Sequence, residues 1–297
     1  MLYICPTPIG NLQDITLRTL EVLGRVELIA CEDTRHTRIL LERHGITARL
    51  MSFHEHNEEQ RIQAVLPLLR EGKDVAVVSD AGMPGLSDPG FTLVRACAAE
   101  DIPVTVLPGP SAVSTALVLS GLPTDRFAFV GFLARSRTRL LEQLARFEGT
   151  GAALVAFESP RRIRASLAAI GERWPERELA VCRELTKLHE EVLRGTAGQV
   201  LELLSDAVRG EVVLVLAPSG AVRAPSKSAG LDGTAPALVG DVEQRARAAL
   251  AELARLGVGT KKAAGIVAGL TGLSARRAYE LGVEARTTVG DKGESRP

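Results

Sequence analysis

Short apolar runs alternate with glycine- and proline-rich loops and with amphipathic stretches through the first 120 residues, and this alternation constrains the fold most. Leu2–Cys5 reads as a strand, stopped by Pro6-Thr-Pro-Ile-Gly-Asn11. Helical spacing follows over Asp14–Leu23, with Asp14 or Thr16 as N-cap. Val26–Cys31 is a second strand, a polar Glu32–Thr37 follows it, and a helix runs to His44. A short strand near Arg49–Ser52, a polar His54–Glu59 and a helix over Gln60–Arg70 lead to a buried-looking strand, Val75–Val78. After the loop Ser79–Gly90 come a helix over Phe91–Ala99, a strand over Val104–Leu107, and Pro108–Ala112 opening a helix to Ser120. Strands that alternate with helices in this way form an α/β domain on a largely parallel sheet.

Gly121–Asp125 breaks the pattern, and a second α/β unit follows. Its strands are predicted at Phe127–Gly131, Ala153–Phe157, Leu179–Arg183, Glu191–Arg194 and Val212–Ala217, with helices over Arg137–Arg146, Arg161–Ile170 and Gly198–Leu204. From Ser219 to Gly240 the composition turns to Ser, Gly, Ala and Pro, which buries too little apolar area to order and reads as a linker. Val242–Leu256, Lys261–Gly269 and Ala275–Glu284 read as three short helices. The expected organisation is α/β at 1–120, α/β at 121–218, a linker at 219–240, a small helical module at 241–286 and a disordered tail at 287–297. Lys plus Arg equals Asp plus Glu at 36 each, so no global field draws the chain to a polyanion and any nucleic-acid contact must be local. Cys5, Cys31, Cys97 and Cys182 lie far apart in apolar segments and read as reduced core residues. Met1 leads straight into a strand, and no apolar run is long enough to span a bilayer, so a cytoplasmic protein without membrane contact is expected.

Ser79-Asp-Ala-Gly-Met-Pro-Gly-Leu-Ser-Asp-Pro-Gly90 carries three glycines and two prolines, so the backbone must turn tightly and present its own polar groups, as ligand loops do. A dinucleotide fingerprint is absent after the first strand, and no Gly-Lys-Ser/Thr phosphate cradle follows it. The Glu32–His36 and His54–Glu59 clusters combine carboxylates with imidazoles just after predicted strands. His54 and His56 with Glu55, Glu58 or Asp33 could ligate a metal, but neither a His-Glu-x-x-His pair nor any cysteine supports zinc, and no metal is expected. Substrate recognition and proton handling suit them better, with Arg35 taking an anionic group and His36 or a carboxylate as base.

Taken together, Thr7-Pro-Ile-Gly-Asn11, Cys31-Glu-Asp-Thr-Arg-His-Thr37, Ser79-Asp-Ala-Gly82, Ser87-Asp-Pro-Gly90, Leu107-Pro-Gly-Pro-Ser-Ala112, Gly121-Leu-Pro-Thr-Asp125 and Arg183-Glu-Leu-Thr-Lys187 form a recognisable set. They resemble the ribosomal RNA small subunit methyltransferase I family of the tetrapyrrole methylase superfamily. The resemblance runs in order from Leu2 to about Ala217. It implies S-adenosylmethionine bound in a cleft between two α/β domains, and methyl transfer to the ribose 2′-hydroxyl of a cytidine in the decoding region of 16S rRNA. Carried onto this chain, the donor contacts would be Pro8, Ala81, Gly82, Met83, Leu86, Ser111 and Ala112, with Glu158 and Leu185 from the second domain. The resemblance also implies a homodimer, with 16S rRNA inside the 30S subunit as partner.

Candidates for the proton acceptor are Glu32, Asp33, His36, His54 and Glu184, and sequence does not choose among them. RNA contacts are expected from Arg35, His54, His56, Arg161, Arg162 and Lys187, and from Lys261 and Lys262 in the tail, where Arg276 and Arg277 add charge. Arg135, Arg137 and Arg139 make the rim of the second domain more basic. The chain departs from the family pattern at Met83, Ala134 and Arg161, where Thr, Pro and His are usual. Two other classes fit the sequence: a small-molecule methylase on the same fold, and a non-catalytic ribosome assembly factor.

Overall fold

The computed structural model describes residues 1–86, 88–205, 207–219, 238–256, 258–271 and 273–290. The chain divides into two compact units, Met1–Ala224 and Pro225–Pro297.

The first unit holds two five-stranded sheets. One is built from β1 (Leu2–Ile4), β2 (Leu28–Cys31), β3 (Leu50–Ser52), β4 (Val75–Val78) and β5 (Val104–Val106) in the order β3-β2-β4-β1-β5, every pair parallel. Successive side chains point to opposite faces, so each strand serves two cores. Leu2, Ile4, Leu28, Ala30, Val75 and Val77 pack beneath α3 (Glu58–Arg70) and α4 (Phe91–Ala99). Tyr3, Cys5, Ile29, Cys31, Ala76 and Val78 pack on the other face, beneath α1 (Leu17–Arg25) and α2 (Thr34–Arg43). All four cysteines are buried and unpaired, as expected of core thiols. Thr16 rather than Asp14 caps α1, because Leu12–Asp14 forms a separate 3-10 turn.

The second sheet contains β6 (Phe127–Phe132), β7 (Ala153–Glu158), β8 (Glu178–Arg183), β9 (Glu191–Thr196) and β10 (Val212–Leu216) in the order β6-β7-β10-β8-β9. Only β6 and β7 pair in parallel; the last strand inserts antiparallel between β7 and β8. One face packs on α6 (Arg137–Ala145), α7 (Ile163–Arg173) and α8 (Ala197–Leu203). On the other face Ala153, Val155, Ala180, Cys182, Val213 and Val215 meet Ala116 and Leu117 of α5 (Ala112–Ser120). That helix follows the last strand of the first sheet yet packs on the second. Ile9, from the first loop of the chain, joins the same cluster.

The second unit contains α9 (Leu238–Arg255), α10 (Thr260–Thr271) and α11 (Ala275–Gly290), joined by Ala246, Leu250, Ala263, Val267 and Leu281. The linker expected at 219–240 lies outside the described residues over 220–237, and 238–240 already belong to α9. The last helix runs to Gly290, past the expected start of a disordered tail at 287, since no glycine or proline interrupts Val283–Val289; residues 291–297 lie outside the described set. Among the described residues no helix is long and apolar enough to cross a membrane.

Candidate active site

Because the first sheet is parallel, the loops after β1, β2, β4 and β5 emerge along one edge, where open α/β sheets bind ligands. The loop after β1 and the loop after β4 are tied to each other. Thr7 and Gly82 exchange two backbone hydrogen bonds of 2.9 and 3.0 Å, and the Thr7 hydroxyl donates to the Ser79 carbonyl at 3.0 Å. Gly82 sits at a φ of 81°, which a side chain would strain. The loop after β5 presses on the same assembly: a Cβ at Gly109 would stand 2.3 Å from Pro6 Cγ. From the second sheet, the loop after β8 reaches across. Asn11 N–H donates to Thr186 Oγ1 at 3.0 Å, and a Cβ at Gly10 would stand 2.5 Å from Lys187 Cγ. Glu184 and Thr186 both have positive φ, 52° and 65°, a strain that non-glycine residues hold only when their surroundings fix them.

Between the two sheets these loops enclose a cavity of about 300 Å³. Its walls include Ile9, Met83, Phe132, Phe157 and Val213, an apolar lining broken by a few polar groups. Phe132 reaches it because the strand register shifts between Phe129 and Phe132, with Gly131 at a φ of 71°. Ser111 and Ala112 place the start of α5 on the wall; Ser111 makes no side-chain cap, so the first amides of the helix face the space unclaimed by it. Glu158 ends β7 at the wall with its side chain 1 % exposed, accepting from Arg162 Nη2 at 2.8 Å, Ser166 Oγ at 2.5 Å and Ser159 N–H at 2.6 Å.

Asp88 also lines this cavity. Burial, with the charges of Glu32 and Asp80, pushes its carboxyl up to about 7. A folded pKa above the ordinary 3.8 means that Asp88 keeps a proton which the unfolded chain has released, so its stabilising contribution is complete at low pH and is lost as pH rises through about 7. The variant Asp88→Asn is therefore expected to lose less melting temperature than the parent between about pH 5 and about pH 8. Equal slopes in calorimetry would show that Asp88 is not the titrating group.

A second cavity, of about 460 Å³, adjoins the first and is lined by Pro8, Leu12, His36, Asp80, Lys187 and Glu211 among others. Asp80 is the hub of its polar wall. Its Oδ1 accepts from Asp33 N–H at 3.0 Å and its Oδ2 lies 3.4 Å from His36 Nδ1. Asp33 caps α2 and pairs with Arg35 at 2.7 Å; hydrogen bonds from Arg35 hold its carboxyl well below the usual range. Glu184 accepts from Lys187 Nζ at 2.9 Å and from Glu211 N–H at 3.0 Å, and the lysine holds it below the ordinary carboxylate value. Burial, with the nearby Asp80, raises Glu32.

Of the donor contacts implied by resemblance, Ala81, Gly82, Met83, Leu86, Ser111, Ala112 and Glu158 line the first cavity; Pro8 lines the second, and Leu185 is buried in the cluster beneath Ile9. Met83 also packs against the core under α3 and α4, so this bulkier residue fills space next to the first sheet. Ala134 donates its N–H to Gln143 Oε1 at 2.9 Å, a bond that proline could not make. Among the expected RNA contacts, Arg161 and His56 are exposed, His54 is half-buried with its Nε2 3.1 Å from Asn57 Nδ2, and Arg35 is bound to its own Asp33. Arg162 is turned inward: besides Glu158 it bonds the carbonyls of Leu133 and Ala134 at 2.6 and 3.2 Å, which commits its guanidinium to the fold. Lys261 and Lys262 are exposed on α10 in the second unit. Gly210, Glu211, Val213, Phe132 and Phe157 line the first cavity without having been singled out from sequence. Asp88 was visible only as part of the quoted Ser-Asp-Pro-Gly motif.

Residues 1–201 match the tetrapyrrole (corrin/porphyrin) methylases. Among curated proteins, this chain is 48% identical over 218 residues to ribosomal RNA small subunit methyltransferase I of Hydrogenobaculum sp., covering 72% of this chain and 94% of that protein. The protein of the same name from Synechocystis sp. is 41% identical over 289 residues, covering 96% and 98%. Among solved structures, diphthine synthase superposes with a TM-score of 0.57 at 15% identity over 73% of this chain and 89% of its own. The methyltransferase CobJ gives 0.57 at 18% identity over 75% and 96%, a likeness of fold.

Proposed function

We propose, since this chain belongs to the tetrapyrrole (corrin/porphyrin) methylase family and within it to the ribosomal RNA small subunit methyltransferase I proteins, that it methylates the ribose 2′-hydroxyl of a cytidine in the decoding region of 16S rRNA with S-adenosylmethionine as donor. The observation that carries the reading is the first cavity. Its volume, apolar walls and backbone rim fit a nucleoside carrying a small amino acid. Unclaimed amides at the start of α5 suit the donor's carboxylate. Ala81, Gly82, Met83 and Leu86 would hold one side, Ser111 and Ala112 a second, and Glu158 the third. When bound, the donor supplies a methyl group on a sulfonium, an electrophile that needs no metal or further activation.

The protein's own contribution is then orientation and exclusion of water. The paired loops after β1 and β4 fix the floor, and Phe157 with Phe132, at a ring separation of 5.4 Å, closes the side. RNA would be gripped by local charge, since the chain as a whole has none in excess. Arg135, Arg139 and Arg161 are exposed, and Arg161 directly follows Pro160 of the cavity wall. The same reading makes the protein a cytoplasmic homodimer, which light scattering checks.

The test is transfer of label from S-adenosylmethionine to purified unmodified 30S subunits, with naked 16S rRNA alongside. Label at one cytidine ribose, stronger on subunits, is the expected result. No label on either, with donor binding intact by calorimetry, would overturn the reading in favour of a small-molecule acceptor.

A further inference from the structure

The second cavity shares Ile9 and Ala81 with the donor cavity as a common wall, so a group seated in it lies directly beside whatever the first one holds. Its mouth carries exposed apolar side chains, Leu12 at 37 % and Ile39 at 57 %, next to the charged Lys187. Exposed apolar side chains beside the cavity suit the face of an unstacked base, while the charge of Lys187 is taken up by Glu184 and Glu211. A duplex would not enter a space of this size.

Resting on the rRNA methyltransferase reading, we propose that this second cavity receives the acceptor nucleotide, and that His36, oriented by Asp80, takes the proton from its attacking ribose hydroxyl. His36 lines the cavity with its side chain 66 % exposed, and Asp80 reaches it through Nδ1. A carboxylate on Nδ1 favours the proton there and leaves Nε2 as the acceptor. Asp80 is itself held, since Asp33 N–H occupies its other oxygen. Asp33, whose amide holds Asp80, is also the N-cap of the helix that carries His36, so the carboxylate and the imidazole are positioned by the same helix start.

The other candidates are less suited by position. Asp33 is occupied by Arg35, and Glu184 by Lys187 and Glu211. Neither Glu32 nor His54 is among the residues that line either cavity, and Asp88 lines only the donor side. The charged groups around His36 are Asp33 and Arg35 on its own helix, Asp80 from the loop after β4, and Lys187 and Glu211 from the second sheet across the cavity. In the step, the ribose oxygen forms a bond to the methyl carbon while the carbon–sulfur bond breaks, and its electron pair stays on sulfur as a neutral thioether. The proton passes from oxygen to His36 Nε2, so one positive charge on sulfonium is exchanged for one on imidazolium and the site's net charge is unchanged.

The test uses the full chain with 30S subunits in single turnover across pH, donor calorimetry, and nitrogen-15 spectra of the histidines. The parent rate is expected to rise with pH through one ionisation and then level. The variant His36→Gln is expected to bind donor normally and to react about 10²-fold more slowly with that ionisation gone. Asp80→Asn should slow the reaction with donor binding intact, Asp80→Glu should restore part of the rate, and a cytidine-containing RNA strand should move the His36 resonance in the parent. A His36→Gln variant with the parent's rate and pH profile would overturn the proposal, as would loss of donor binding in it. Failure of the parent to label any RNA would instead strike the reading on which the proposal rests.

Discussion

Alanine in place of Gly109 is expected to weaken S-adenosylmethionine binding by about 10²-fold, the cost of misplacing a positioning loop by about an ångström. The new Cβ would stand 2.3 Å from Pro6 Cγ and 3.0 Å from Pro6 Cβ. A flexible side chain could swing clear, but a pyrrolidine ring is locked to its backbone, so one of the two loops must move. Pro6 leads into Thr7, which is bonded to Gly82, and Gly109 leads into Ser111 at the start of α5. Displacing either loop therefore opens the donor cavity on two of its sides. The fold should survive, losing about 1–3 kcal/mol in urea denaturation, the usual cost of overpacking. Gly24 is the control: it lies exposed in α1, and a Cβ added there would meet nothing within 4 Å, so Gly24→Ala should bind donor normally and gain about 0.5–1 kcal/mol of helix stability. Calorimetry that finds parental donor affinity in Gly109→Ala would show that contact between these loops does not hold the cavity.

The largest stability effect is expected from Glu158→Ala, about 3–5 kcal/mol, because removing one partner of a buried ion pair strands the rest. The carboxylate is 1 % exposed while Arg162 is 31 % exposed, so alanine would leave a half-buried guanidinium without its counter-ion, held only by the Leu133 and Ala134 carbonyls. Ser166, itself buried, would lose its acceptor, and so would the Ser159 amide. Glu158→Gln, which keeps an acceptor for Ser166 but not the charge, should lose less. Urea midpoints for the two variants decide the matter, and a loss under about 1 kcal/mol for alanine would mean that Arg162 finds solvent or another partner. Because Glu158 ends the strand on the cavity wall, donor affinity should fall together with stability.

The first sheet was legible because its cause is local. Apolar runs such as Leu2–Cys5 and Val75–Val78, loop chemistry after each strand, and a cap at Asp14 or Thr16 all operate over a few residues, and the predicted strands coincide with the observed ones to within about two residues. The loops that line the first cavity were legible for the same reason: Ser79–Gly90 can be read as a turn-rich loop without knowing what it touches. The start of α2 was harder. Glu32–Thr37 reads as a polar loop, but Asp33 caps a helix that begins at Thr34, because charged residues are as much at home in a first turn as in a loop.

What the sequence alone determined, then, is the order of strands and helices, the turn-forming loops, and the family that these motifs resemble. Tertiary structure decided the partners. Antiparallel insertion of β10 between β7 and β8 brings Gly210–Val213 to a wall shared with Ala81 and Ser111, more than 90 residues earlier in the chain. It turned Arg162 from a surface cation into the counter-ion of Glu158, and it chose Asp80 to face His36 from 44 residues away. The physical reason is one of range: propensity and capping act between neighbours along the chain, whereas a buried charge or a cavity wall is satisfied by whichever distant segment the packing of the sheets delivers.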